Sequence, residues 1–215
     1  MYDVVLFDLD GTITDSGLGI TNSVRYALNR YSIEVRDNSE LECFIGPPLN
    51  ESFEKFYGFT KEEASNAVSV YREYYREKGI YENLVYDGIE KLLREIRDKG
   101  KIAAVATSKP ELFARQILDH FGLSEYFAYI GGANMNETRT DKAEVIDYVL
   151  DELKITDKSK VVMVGDREHD IIGARKNGLD SIGVLFGYGS REELENARAT
   201  HIAPTVEDIY PIIFP

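Results

Sequence analysis

A doubly wound parallel α/β sheet carrying an inserted all-helical segment is the fold that this 215-residue sequence predicts. Three observations predict it. Continuous apolar runs at residues 4–7, 101–106 and 161–164 read as strands buried on both faces, the habit of parallel sheets. Helical patterns fill the intervals between strands, so that strand and helix alternate along most of the chain. Finally, about seventy residues of helical pattern separate the first strand from the helix that starts near Gly88, far more than an ordinary βα loop holds.

Each element has its own signal. Residues 17–31 are amphipathic, with Ile20, Val24, Ala27, Leu28 and Tyr31 at helical spacing. Asp37 or Ser39 can cap a short helix through Phe44, Gly46-Pro47-Pro48 stops it, and residues 49–57 start another. Thr60 caps a longer helix through Lys78, with Glu63 completing a capping box. These helices form a predicted helical insertion over residues 16–86, leaving 1–15 and 87–215 as the α/β core, with hinges near 15–19 and 79–87. Gly88 then opens a core helix that Gly100 ends. Helices at 111–121, 140–153 and 168–177 alternate with strands at 129–130, 161–164 and 181–185. Residues 185–190 read as a flexible rim loop.

Composition narrows the function. The net charge is −13, and no basic stripe is present to neutralise a nucleic-acid backbone, so a polymer of that kind is excluded as partner. Cys43 is the only cysteine; it sits among apolar neighbours and reads as core, and a disulfide framework is excluded. The first strand begins almost at the N-terminus behind acidic Asp3, unlike a signal peptide, and no run approaches a membrane span. A cytoplasmic protein, monomeric or homodimeric, is the expectation.

The chemistry-bearing residues gather at strand ends, where open α/β sheets bind ligands. Asp8-Leu9-Asp10-Gly11-Thr12 follows the first strand, and two like charges placed there are costly without a partner such as a divalent cation. A plain solvated turn uses the same residue types. Thr107-Ser108-Lys109-Pro110 follows the second run, and Ser108 by itself reads as a helix cap. Lys142 stands alone and takes its meaning from its neighbours. Gly165-Asp166-Arg167-Glu168-His169-Asp170 follows the strand at 161–164; Asp170, four residues on, shares a helical face with Asp166, which could itself be a cap. His169 falls off that face. Tyr71, Tyr74, Tyr75 and Tyr81 form an aromatic stripe that reads as packing before binding.

Asp-x-Asp, Thr, Lys and Asp-x-x-x-Asp in this order resemble the motifs of the haloacid dehalogenase superfamily of phosphohydrolases, and the resemblance spans essentially the whole chain. It implies a haloacid-dehalogenase-like core with a helical cap. It also implies Mg²⁺-dependent hydrolysis of a small phosphate monoester through an aspartyl-phosphate. Carried over by position, Asp8 is nucleophile and metal ligand, and Asp10 is general acid/base with its carbonyl on the metal. Thr107, with Ser108 beside it, and Lys142 bind phosphate; Asp166 and Asp170 serve the metal. Arg25 and the Gly46-Pro47-Pro48-Leu49 loop are candidates for reading the leaving group. Phosphoglycolate phosphatases and the 5′-nucleotidase-like branch are the nearest resemblances, although Lys142-Ala143 departs from the Lys-Pro usual in the former. The alternatives are a sugar phosphomutase and, from another class, a receiver domain that stores phospho-aspartate as a signal. Asp10 argues against both a receiver and a dehalogenase.

Overall fold

A computed structural model of the chain describes residues 1–135 and 139–214; Thr138, in the segment leading to Lys142, lies outside them. In chain order the elements are β1 (Val4–Phe7), β2 (Thr14–Asp15), α1 (Gly17–Arg30), α2 (Leu49–Tyr57), α3 (Lys61–Glu77), β3 (Leu84–Val85) and α4 (Ile89–Asp98). Then follow β4 (Ile102–Pro110), α5 (Glu111–His120), β5 (Tyr129–Ala133), α6 (Lys142–Glu152), β6 (Val161–Gly165) and α7 (Glu168–Lys176). The chain closes with β7 (Asp180–Val184), α8 (Arg191–Asn196), β8 (His201–Ala203) and α9 (Tyr210–Ile213). Two compact units result: Met1–Thr14 with the chain from Val85 onward, and Asp15–Leu84. The chain passes between them along β2 and β3, which pair as a two-stranded sheet.

The α/β unit is built on one parallel sheet of order β5-β4-β1-β6-β7-β8. β1 is central: Val4 to Phe7 pair with Ile102 to Val105 on one side and with Val161 to Val164 on the other. Side chains alternate across the sheet, so Val4, Leu6, Ala104, Ala106, Val161 and Met163 share one face. There they pack on Val145, Ile146, Val149 and Leu150 of α6. Each Val, Leu, Ile or Met side chain among them, fully buried, contributes roughly 1.5–3 kcal/mol. The strand order reverses direction at β1, since β4 leads outward to β5 and β6 outward to β7 and β8. The carboxyl ends of β1, β4 and β6 are therefore the place where such a sheet opens a ligand crevice.

Three local features differ from the sequence reading. β4 runs on through Pro110, so Thr107, Ser108 and Lys109 belong to a strand, and Pro110 immediately precedes α5. Ser108 is thus not a helix cap; its hydroxyl donates to the Thr140 carbonyl at 3.2 Å. α6 begins at Lys142 rather than 140, because the Asp141 carboxylate accepts from the Ala143 N–H at 2.7 Å and fixes the N-cap there. α8 and β8, absent from the sequence reading, are short: β8 pairs in parallel with β7 at the sheet edge.

The second unit is helical. α1, α2, α3 and a 3₁₀ segment, Asn38–Phe44, enclose an aromatic core in which Phe53 stacks on Phe59 at 5.7 Å and Phe44 meets Phe53 edge-on at 4.9 Å. Tyr71 and Tyr75 are buried and stacked at 5.3 Å, which makes them packing residues, while Tyr81 is exposed. Cys43 is half-buried rather than core, with its thiol toward the Glu40 carbonyl. The capping box is present: Thr60 Oγ1 accepts from the Glu63 N–H at 3.3 Å, and Glu63 Oε2 accepts from the Thr60 N–H at 2.8 Å. Thr60→Ala is expected to cost about 1 kcal/mol, read as a lowered midpoint in urea unfolding followed by the helical signal; an unchanged midpoint contradicts the capping account.

Candidate functional site

All the groups described next belong to the α/β unit. Asp8 follows β1 directly, and its N–H donates to the Val164 carbonyl at 2.9 Å, which carries the β1–β6 pairing one residue further. The chain must then turn against Asp166. Gly11 adopts φ +79°, where a side chain is strained, and a Cβ there would lie 2.2 Å from Asp166 Oδ2. From the other side, a Cβ on Gly187 would lie 2.2 Å from the Gly11 carbonyl and 2.5 Å from the Asp166 Cβ. Thr12 donates its hydroxyl to Asp166 Oδ1 at 3.3 Å, and the Tyr188 N–H donates to Oδ2 at 2.8 Å. The segment read as a flexible rim loop is thus packed onto Asp166, because only glycine lets its backbone come so close.

Around Asp166 three carboxylates converge. Asp8, Asp166 and Asp170 each bring one oxygen within 4.8 Å of the other two, and all three residues are buried. Lys142, at the first position of α6, sits 2.8 Å from Asp8 Oδ1 and 2.8 Å from Asp170 Oδ1, and donates to the Ala106 carbonyl at 3.1 Å. Those three partners match the three donors of an ammonium group. Asp170 Oδ2 accepts from the Arg167 N–H at 3.1 Å, which ties the start of α7 to the cluster. The Asp10 carboxylate stands apart from the three: its Oδ2 lies 2.6 Å from Lys109 Nζ, and its Oδ1 is buried with no hydrogen-bond partner among the described residues. Thr107 accepts from the Lys109 N–H at 3.2 Å.

Residues 5–184 match the haloacid dehalogenase-like hydrolase family. The chain belongs to that family. A 5′-nucleotidase of Pseudomonas aeruginosa is 46% identical over 200 residues, covering 93% of this chain and 90% of that protein. The tyrosine-protein kinase PtkA of Mycobacterium tuberculosis is 38% identical over 208 residues, covering 96% of this chain and 70% of the kinase. The crystal structure of a predicted phosphatase from Clostridium acetobutylicum superposes with a TM-score of 0.97 at 49% identity, covering 99% of this chain and 98% of that one.

The electrostatics of this carboxylate cluster are unbalanced. Burial raises the Asp8 carboxyl above its ordinary value, although Lys142 and the Thr107 hydroxyl oppose the shift. Burial, then the charges of Asp170 and Asp8, push Asp166 well above the usual carboxylate range. Burial alone would lower Lys142, but Asp170 and Asp8 hold it above the ordinary lysine value. When all are ionised, the four buried carboxylates of Asp8, Asp10, Asp166 and Asp170 outnumber the ammonium groups of Lys109 and Lys142 by two. An all-oxygen donor set with that excess fits a hard dication such as Mg²⁺.

The remaining candidates fall in several places. Arg25, Gly46 and Pro47 belong to the helical unit, and all three are half-buried. Arg25 is not the solvated arginine that the sequence leads one to expect; its Nε is buried without a hydrogen-bond partner among the described residues. His169 is half-buried, and burial lowers its pKa. Thr12 and Lys109 stand in the strand-end segments that the sequence singles out but receive no role there, and the Tyr188 backbone contact has no signal in it. Lys109 had a signal in the two-residue alternation of a strand, which places it on the side of Thr107.

Burial of Asp166 beside the charges of Asp170 and Asp8 predicts a pH effect with a definite sign. Asp166 holds its proton more tightly folded than unfolded, so its stabilising contribution is complete below its unfolded value of 3.8 and disappears as pH rises through the higher folded value. In excess chelator, Asp166→Asn is therefore expected to melt above the unsubstituted protein at pH 8, the advantage shrinking toward pH 4. A lower melting temperature for the variant at pH 8, by calorimetry, contradicts this.

Proposed function

We propose that this chain is a Mg²⁺-dependent phosphomonoester hydrolase that works through an aspartyl-phosphate on Asp8. The single observation that carries the proposal is the buried convergence of Asp8, Asp166 and Asp170, with Lys142 between two of them. Phosphatase chemistry in general agrees with family membership and with relatives named as phosphatases.

Asp8, Asp166 and Asp170, with the Asp10 carbonyl, are the groups that would hold Mg²⁺. When bound, the ion screens the substrate dianion from the attacking carboxylate and draws charge from the phosphoryl oxygens. The chain supplies the rest. An Asp8 oxygen attacks phosphorus in line, dividing one difficult displacement into two. Asp10 protonates the departing ester oxygen and afterwards takes a proton from the water that cleaves the aspartyl-phosphate. Lys142 and Thr107, already beside Asp8, balance and hydrogen-bond the phosphoryl oxygens. Ser108 acts on this site through the Thr140 carbonyl, holding the approach to α6.

Nucleoside 5′-monophosphates are the first substrate class to consider. The 5′-nucleotidase relative shares 46% of aligned residues over nine-tenths of both chains, whereas phosphoglycolate phosphatases share 22–24%. Residues 16–86 serve as a cap that reads the leaving group, with Arg25, Gly46 and Pro47 as its candidate contacts. No described helix is long and apolar enough to cross a membrane; the single cysteine supports a reducing, cytoplasmic setting. Asp10, with an ion pair of its own, supports hydrolysis over storage of the phosphoryl group as a signal.

Inorganic phosphate release from nucleotides, sugar phosphates and phosphoglycolate is the test. Release is expected to require Mg²⁺ and to stop in excess chelator. Asp8→Asn should lower kcat by ~10³-fold or more with an unchanged circular dichroism spectrum. Full turnover in that variant, or in chelator, overturns the mechanism.

A further inference from the structure

We propose that Lys109 is a positioning residue for Asp10: its ammonium holds one oxygen of that carboxylate so that the other is presented for proton transfer. The inference rests on the phosphatase reading and deepens it.

β4 is a strand through Thr107, Ser108 and Lys109, and side chains alternate along it. The contacts follow that alternation. Thr107 and Lys109 reach Asp8 and Asp10, while Ser108 turns away to the Thr140 carbonyl. Pairing with β5 shifts register between Thr107 and Pro110, so Lys109 lies in the irregular stretch, the kind of interruption that re-aims a side chain. Its Nζ is 2.6 Å from Asp10 Oδ2, and the two side chains are only 6% and 10% exposed. Asp10 Oδ1 is buried without a hydrogen-bond partner among the described residues. A carboxylate held by one oxygen and open at the other has the geometry that an acid/base needs. A phosphate contact is the competing assignment for Lys109, but Lys142 already places an ammonium beside Asp8.

The step balances without a further reagent. As an Asp8 oxygen bonds to phosphorus, the ester P–O bond breaks, and its electron pair stays on the ester oxygen, which takes the proton carried by Asp10 Oδ1. In the second step Asp10 takes a proton from water as the water oxygen bonds to phosphorus and the Asp8–phosphorus bond breaks. Lys109 keeps its protons throughout.

Leaving-group release in the first turnover isolates the first step. It should be measured with Mg²⁺ for alkyl phosphates and for aryl phosphates of graded leaving-group pKa. Lys109→Met is expected to slow alkyl release on the order of 10²-fold and the best aryl leaving group by less than about threefold, with KM unchanged. In an Asp10→Asn background the same substitution should add no further loss. Equal losses for every leaving group with a raised KM assign Lys109 to the phosphate and overturn the proposal, as does an additive loss in the double variant. Should Lys109→Met fail to fold, Lys109→Arg keeps the charge and moves it, and its losses must rise with leaving-group pKa; a flat response overturns the assignment. An unsubstituted protein that releases no phosphate with Mg²⁺ overturns both readings. A working phosphatase whose Lys109 variants respond evenly overturns this one alone.

Discussion

An excess of buried negative charge, drawn together by backbone geometry, is the constraint on which the rest of this structure depends. Asp8 and Asp166 are carried into place by β1 and β6, whose register is set by parallel pairing of fully apolar strands. Asp170 is placed by the first turn of α7, where its carboxylate also satisfies the Arg167 N–H. Isolated carboxylates in such surroundings give up their charge. Asp8 and Asp170 share Lys142, and Asp10 has Lys109. Asp166 accepts hydrogen bonds from two neutral donors, the Thr12 hydroxyl and the Tyr188 N–H, and burial together with the charges of Asp170 and Asp8 pushes it toward its protonated form. A cation at this point would relieve the crowding of carboxylates that the fold itself creates.

Much of this was legible in the sequence because local rules suffice for it. Apolar four- and five-residue runs mark the central strands, and Gly, Asp and Thr at their ends mark the site. The helix at Leu49–Tyr57 and the Thr60 capping box follow from local signals, since caps act within one turn. What escaped is non-local. Lys109 and Asp10 are 99 positions apart, and their pairing follows from β4 lying beside β1, which no local pattern states. Residues 185–190 look mobile because they include Gly187 and Gly189, yet Asp166 lies against both of these glycines. Ser108 was misread as a cap because the strand outlasts its apolar run by four residues, from 107 to 110. Cys43 was misread because it lies in a 3₁₀ segment whose buried positions are Leu41 and Phe44.

Membership in the haloacid dehalogenase-like hydrolases fits a division of labour between the two units. Every group in the carboxylate cluster, together with both lysines, belongs to the α/β unit. The helical unit contributes none of them. Relatives with names as different as a nucleotidase and a tyrosine-protein kinase both align over more than nine-tenths of this chain. Such breadth is what a fixed phosphoryl-handling core with changeable acceptors and leaving groups would allow.

Anomalous diffraction from crystals soaked in Mn²⁺, a hard dication that takes the same oxygen donors as Mg²⁺, measures the central claim most directly. The account expects one strong peak bounded by the Asp8 and Asp166 carboxylates, with Asp170 alongside, and its loss in Asp166→Asn. A saturated soak with no peak at those carboxylates, or a peak unaffected by the substitution, would contradict it.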